Sequence, residues 1–118
     1  MNFEAQTDRQ AGATIVTFTG DLDIASEVDA AAALEAALDG ARVIVADLRG
    51  LHFLDSTGVR VLLAADLAAR EQGVRFAVAR GEGMVRRVFE VTRIDQRFRV
   101  VDDPAELTGD DAPPDPAQ

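Results

Sequence analysis

Hydrophobic and polar positions follow two rhythms along this chain, and the points where one gives way to the other mark its elements. Residues 3–9 and 14–19 are β-prone runs on either side of Gln10-Ala11-Gly12-Ala13, which predicts a hairpin with a short glycine-containing turn. After Gly20-Asp21-Leu22-Asp23 the period lengthens, with Val28, Ala31, Leu34 and Leu38 recurring at helical spacing. Ser26 followed three residues later by Asp29 resembles a capping box, and Gly40 supplies a stop, so a helix is predicted over 26–39. Val43-Ile44-Val45-Ala46 is a continuous apolar run, the pattern of a strand buried on both faces; a strand over 43–48 is expected, followed by a turn around Gly50.

The run Phe53-Leu54-Asp55-Ser56-Thr57-Gly58 leads into a second helical pattern, Val59, Leu62, Leu63 and Leu67, from about Thr57 to Gln72 with Gly73 as its stop. Ser56 or Thr57 then falls where a helix N-cap belongs, its hydroxyl beside unsatisfied backbone N–H groups and the positive end of a helix dipole. Val61, Ala64, Ala65 and Ala68 make this helix too apolar for an ordinary surface helix. It is either wedged between the sheet and its neighbours or docks a partner on its alanine-rich face. A strand over 74–79, a helix carrying Met84, Val85, Val88, Phe89 and Thr92 and ending near Arg93, and a short strand at Phe98, Val100 and Val101 follow. A helical turn is expected at Pro104–Leu107, and the acidic, proline-rich residues 108–118 are expected to be a disordered tail.

The order β-β-α-β-α-β-α-β predicts an α/β fold: an open mixed β-sheet built from an N-terminal hairpin followed by βα repeats, with right-handed crossovers and the helices mainly on one face. Chemistry in such a sheet gathers at the carboxyl ends of the strands. Asp21-Leu22-Asp23 and Asp55-Ser56 both lie just past such ends and are expected to be neighbours.

Composition narrows the function. The 118 residues suit one domain, with no Cys, Trp, Tyr or Lys and only one His. No disulfide can form, no apolar run reaches membrane-spanning length, and a soluble cytoplasmic protein is the expectation. The net charge is −9, but six of the 21 acids fall in residues 102–118, leaving 15 acids against 12 arginines elsewhere. With no basic excess, nucleic acid is excluded as the expected partner.

Enzyme chemistry finds no template. Leu54-Asp55-Ser56-Thr57-Gly58 lacks the first glycine of a nucleophile elbow, and His52 is too close along an extended segment to act as its base. The absence of Lys rules out a Walker phosphate loop. Asp21 and Asp23 are a loose carboxylate pair of the kind usually found solvated in loops, and Asp47 lies inside a strand without the acidic pair of a phosphoacceptor site. A catalyst, a metal and a cofactor are therefore not expected. Two readings of Ser56 stand side by side, a cap in a tight turn and a hydroxyl presented for phosphorylation, which would add about −1.5 to −2 charges beside Asp55.

At Phe53-Leu54-Asp55-Ser56-Thr57-Gly58-Val59-Arg60-Val61-Leu62 the chain resembles the STAS-domain family, specifically its anti-sigma factor antagonists. Gly20-Asp21-Leu22-Asp23 is similar to that family's G-[ED]-L-D segment, and Val85–Thr92 to its third helix, in consistent register over residues 1–107. The resemblance implies a partner-switching protein. Its unphosphorylated form binds an anti-sigma factor that is also a serine kinase, releasing a sigma factor; phosphorylation on Ser56 ends that binding and a serine phosphatase restores it. By resemblance the partner surface comprises Asp21, Asp23, Asp55, Ser56, Thr57, Gly58, Arg60 and Val61, with Asp23 helping to present Ser56. The simplest state for such a switch is a monomer.

Two positions depart from the family. Arg60 stands where glycine is common, one helical turn from Ser56, and Arg93 replaces a common glycine after the third helix, where a left-handed cap would cost about 1 kcal/mol or more. That helix end is expected to be built differently. The alternative to the switch is a non-catalytic STAS subunit docked permanently on an ATPase or permease of a membrane lipid-transport complex, with Ser56 only a cap.

Overall fold

The computed structural model describes residues 2–107; the expected tail, 108–118, lies outside the described residues. Five strands form one sheet in chain order: β1 (Phe3–Gln10), β2 (Ala13–Leu22), β3 (Val43–Leu54), β4 (Arg75–Ala79) and β5 (Arg99–Val101). β1 pairs antiparallel with β2, and every later pairing is parallel. The hairpin turns on Ala11 and Gly12, both at positive φ (44° and 87°), the two-residue geometry whose twist matches the flanking strands.

Helices α1 (Glu27–Ala37), α2 (Ser56–Glu71) and α3 (Gly83–Thr92) make the three crossovers. Because the strand order never reverses, right-handed connections place all three on one face. The core records this directly. Ile44, Ala46, Phe76 and Val78 from the sheet pack with Leu34 of α1, Leu62 of α2 and Phe89 of α3. The alternate residues Val43, Val45, Ala77 and Ala79 form a second cluster on the opposite face, joined by Leu107 from a 3-10 turn at Pro104–Leu107. Asp47, 6% exposed, holds Arg49 there through two hydrogen bonds of 3.0 and 3.1 Å, and this bonding raises the Arg49 pKa above its ordinary value.

Several expectations change. No turn occurs at Gly50: β3 continues to Leu54 with two irregularities, opposite the steps Thr17/Thr19 and Gly20/Asp21 of β2, each placing one extra residue on β3. Its core-facing residues are accordingly Ile44, Ala46, Leu48, Leu51 and Leu54, a spacing of two that lengthens to three. The α1 stripe is also rotated from the expected one. Ala30, Leu34, Ala37 and Leu38 are buried, while Val28 is 76% exposed. Ser26 makes no capping box; fully buried, its hydroxyl donates to the Asp21 carbonyl at 2.8 Å and accepts from the Asp23 N–H at 3.0 Å. It locks the β2–α1 turn instead.

At the end of α3, Arg93 itself takes the left-handed cap conformation (φ 58°, ψ 24°), so the helix keeps a left-handed stop without glycine and, contrary to expectation, is not built differently. A 3-10 turn, Ile94–Gln96, follows it. The stop of α2 is as expected: the Val74 N–H reaches the Ala69 carbonyl at 2.8 Å and the Gly73 N–H the Arg70 carbonyl at 3.2 Å, a Schellman arrangement around Gly73 (φ 72°).

Candidate functional site

The ends of β2 and β3 are tied together where both leave the sheet. Leu22 and Leu54 are register partners, and the Asp55 N–H donates to the Leu22 carbonyl at 3.4 Å. Directly beyond, α2 begins. Its N-cap is Asp55, not Ser56 or Thr57: Asp55 has extended backbone (φ −112°, ψ −172°), and its carboxylate accepts the Gly58 N–H at 3.1 Å. Its carbonyl accepts the first intrahelical bond, from Val59.

Moving the cap one residue back changes the standing of Ser56. It becomes the first residue of α2, exposed, and its hydroxyl makes no hydrogen bond among the described residues. Thr57 and Gly58 turn inward and are buried. Gly58 is required by space: a Cβ there would lie 2.5 Å from Leu54 Cδ1 and 2.9 Å from both Leu22 Cγ and the Leu22 carbonyl oxygen. The start of α2 is pressed against the two strand ends, which leaves Ser56 on a rigid corner facing out.

The remaining expected site residues divide into two groups. Asp23 lies past the end of β2 at this same corner; one of its carboxylate oxygens accepts the Ala25 N–H at 3.0 Å, shaping the turn into α1. Asp21 sits back on β2 against Asn2, whose carbonyl accepts the Asp21 N–H at 2.7 Å. One turn along α2, Arg60 is exposed and donates to the Thr57 hydroxyl at 3.4 Å. Val61, 7% exposed, belongs to the core. Thr57, Gly58 and Val61 therefore shape the surface from beneath, while Asp23, Asp55, Ser56 and Arg60 form it.

Two residues missed in the sequence belong to this corner. Ile24 (77% exposed) and Val28 (76%) put apolar side chains on the surface beside the start of α1, next to an otherwise acidic rim. Val28 is expected on the buried stripe and the rotated phase of α1 brings it out, whereas Ile24 lies in the turn before α1 and carries no periodic signal. Among the described residues, no His, Cys, Asp or Glu side chains gather as metal ligands would, and no helix is long and apolar enough to cross a membrane.

Residues 4–107 of the chain match the STAS domain family model. The chain belongs to the STAS-domain family. Solved structures share the fold of this STAS domain. An anti-sigma factor antagonist from Mycobacterium paratuberculosis is 24% identical, with a TM-score of 0.75 over 88% of this chain and 89% of that one. An anti-sigma-factor antagonist (STAS) domain protein from Planctomyces limnophilus is 23% identical, with a TM-score of 0.74 over 86% and 92%. The Bacillus cell fate determinant SpoIIAA, solved in its phosphorylated form, is 18% identical, with a TM-score of 0.65 over 87% and 95%. No curated protein matches the chain.

Proposed function

We propose that this STAS domain is an anti-sigma factor antagonist switched by phosphorylation of Ser56. The observation that carries the reading is the division of labour at the start of α2. Asp55 satisfies the helix N-terminus, and the Ser56 hydroxyl is left exposed and without a partner among the described residues. A serine needed only as a cap would be engaged; this one is presented.

In the unphosphorylated state the corner of Asp23, Asp55, Ser56 and Arg60, with Ile24 and Val28 beside it, docks an anti-sigma factor with serine kinase activity. Binding withdraws that factor from a sigma factor. The kinase, supplying its own ATP and Mg²⁺, transfers the terminal phosphoryl group to the Ser56 oxygen; the phosphoanhydride bond breaks, ADP leaves, and the hydroxyl proton is released. The product carries about −1.5 to −2 extra charges next to Asp55, and docking ends through like-charge repulsion and the cost of desolvating the phosphate. The first-turn N–H groups and helix dipole tolerate the phosphate, so the domain stays folded. A serine phosphatase resets it. On this reading the chain is no enzyme, needs no cofactor of its own, and works as a cytoplasmic monomer.

The competing role, a permanently docked transport-complex subunit, needs no modified serine; the Asp55 cap takes from Ser56 only the capping role that reading gave it. A paired pull-down separates the two. Wild-type and Ser56→Asp baits are incubated in lysate of the native cells, and retained proteins are identified by mass spectrometry. A serine-kinase anti-sigma factor held by the wild type and lost from the variant is expected; transport subunits held equally by both would overturn the proposal.

A further inference from the structure

Ser56 and Arg60 stand four residues apart on α2, a spacing at which helical side chains are neighbours with Cβ atoms about 5–6 Å apart. Both are exposed. Side chains on a helix lean toward its N-terminus, and Arg60 does so: a terminal guanidinium nitrogen lies 3.4 Å from the Thr57 hydroxyl, over the first turn of α2. That bond is long, and among the described residues Arg60 makes no ion pair, whereas Arg49, Arg70, Arg80 and Arg86 each hold a carboxylate.

The other charged groups around Ser56 are acidic. Asp23 comes from the turn after β2 and Asp55 from the end of β3, and their carboxylates already accept the Ala25 and Gly58 N–H groups. Glu27, at the start of α1, lines the same groove between α1 and α2 as Arg60 without pairing with it. In the first turn of α2 the N–H groups of Ser56 and Thr57 have no intrahelical acceptor and donate to no other described residue. The corner therefore gathers a guanidinium and two backbone N–H groups with no strong acceptor between them. A phosphate on Ser56 supplies three acceptor oxygens at that point.

We propose that Arg60 is the internal receptor for a phosphate on Ser56, its guanidinium leaving the Thr57 hydroxyl to form a charge-assisted bridge with the phosphate oxygens. The inference rests on the proposed modification of Ser56 and concerns its regulation. The bridge gives the modified form a contact that the unmodified form lacks, and it shields the phosphate from hydrolysis. It also withdraws Arg60 from the docking surface. One guanidinium leaves the modified corner anionic, with Asp23 and Asp55 beside the phosphate, so repulsion and the loss of Arg60 act together to release the partner.

The test places genetically encoded phosphoserine at position 56 of the full chain, which needs no kinase, in wild-type, Arg60→Gln and Arg60→Lys backgrounds, each compared with its own serine form. Relative to its effect in Arg60→Gln, phosphate should raise the wild-type melting temperature by about 3–8 °C, the size of a good surface charge pair in a domain of this class. That difference should shrink in ~1 M NaCl, where the screening length falls to ~3 Å, and Arg60→Lys should recover part of it. The Arg60 side-chain N–H resonance, assigned by its loss in Arg60→Gln, should shift on phosphorylation. Alkaline phosphatase should release phosphate several-fold more slowly from the wild type than from Arg60→Gln. An equal thermal effect of phosphate in the wild type and Arg60→Gln, an Arg60 resonance that phosphate leaves in place, or equal dephosphorylation of the two would each overturn the inference. Each of these would leave Ser56 standing as phosphoacceptor; failure of that reading shows in a different experiment, as an unmodified Ser56 in native-cell lysate.

Discussion

Replacing Gly58 by alanine sets two opposed effects against each other at the corner that presents Ser56. Alanine favours a helix over glycine by about 1 kcal/mol, less in the first turn, and this alone would stabilise the protein. Against it stands the space. The new methyl would sit 2.5 Å from Leu54 Cδ1 and 2.9 Å from the Leu22 carbonyl oxygen, both distances well inside van der Waals contact. Neither neighbour can easily yield: Leu22 and Leu54 are 0% and 1% exposed, and the Leu22 carbonyl is held by the Asp55 N–H. Overpacking of this kind costs about 1–3 kcal/mol, more where backbone must shift, so the net expectation for Gly58→Ala is a loss of about 1–2 kcal/mol. At about 4–8 °C per kcal/mol for a domain of this class, the melting temperature should fall by roughly 5–15 °C. Urea unfolding followed by circular dichroism should show a lower midpoint with an unchanged slope. An alanine variant as stable as the wild type, or more so, would show that α2 does not press on the strand ends, and the rigid presentation of Ser56 would fall with it.

Two further substitutions probe the same geometry and one probes α3. Asp55→Ala should cost about 1 kcal/mol through the lost N-cap, whereas Ser56→Ala should change stability by less than about 0.5 kcal/mol; paired chemical denaturation checks this, and the reverse order would return the cap to Ser56. Arg93→Gly should stabilise by about 0.5–1 kcal/mol, because the left-handed cap conformation (φ 58°) then carries no side-chain penalty. A destabilised Arg93→Gly variant in thermal unfolding would mean that the arginine side chain stabilises the helix end.

Most of the fold was legible from periodicity because the helix stops and strand runs agree with local chemistry. Gly73 stops α2 and Gly40 follows α1 in left-handed conformations (φ 72° and 74°), as glycine in those positions suggests. The run Val43-Ile44-Val45-Ala46 is buried on both faces because its side chains divide between two core clusters. What escaped detection came from tertiary pairing. The extension of β3 hides in its two bulges, which change the core spacing after Leu48 and make Gly50 look like a turn. At α1, a helix rich in alanine offers little contrast between faces, so Val28 was placed inside although packing against β2 turns it out. The candidate site rests on a motif, and its cap, expected at Ser56 or Thr57, lies at Asp55. A β-region Asp followed by serine and threonine offers three side chains able to cap, and only the fit of Gly58 against Leu22 and Leu54 settles that Asp55 does so.

The central claim is that the exposed Ser56 hydroxyl is the phosphoacceptor. Its most direct test is to incubate purified wild-type and Ser56→Ala protein with lysate of the native cells and ATP, then map phosphate by peptide mass spectrometry. One phosphate on Ser56 in the wild type and none in the variant is the predicted result. No modification of the wild type, or equal modification of both proteins at another residue, would contradict the account.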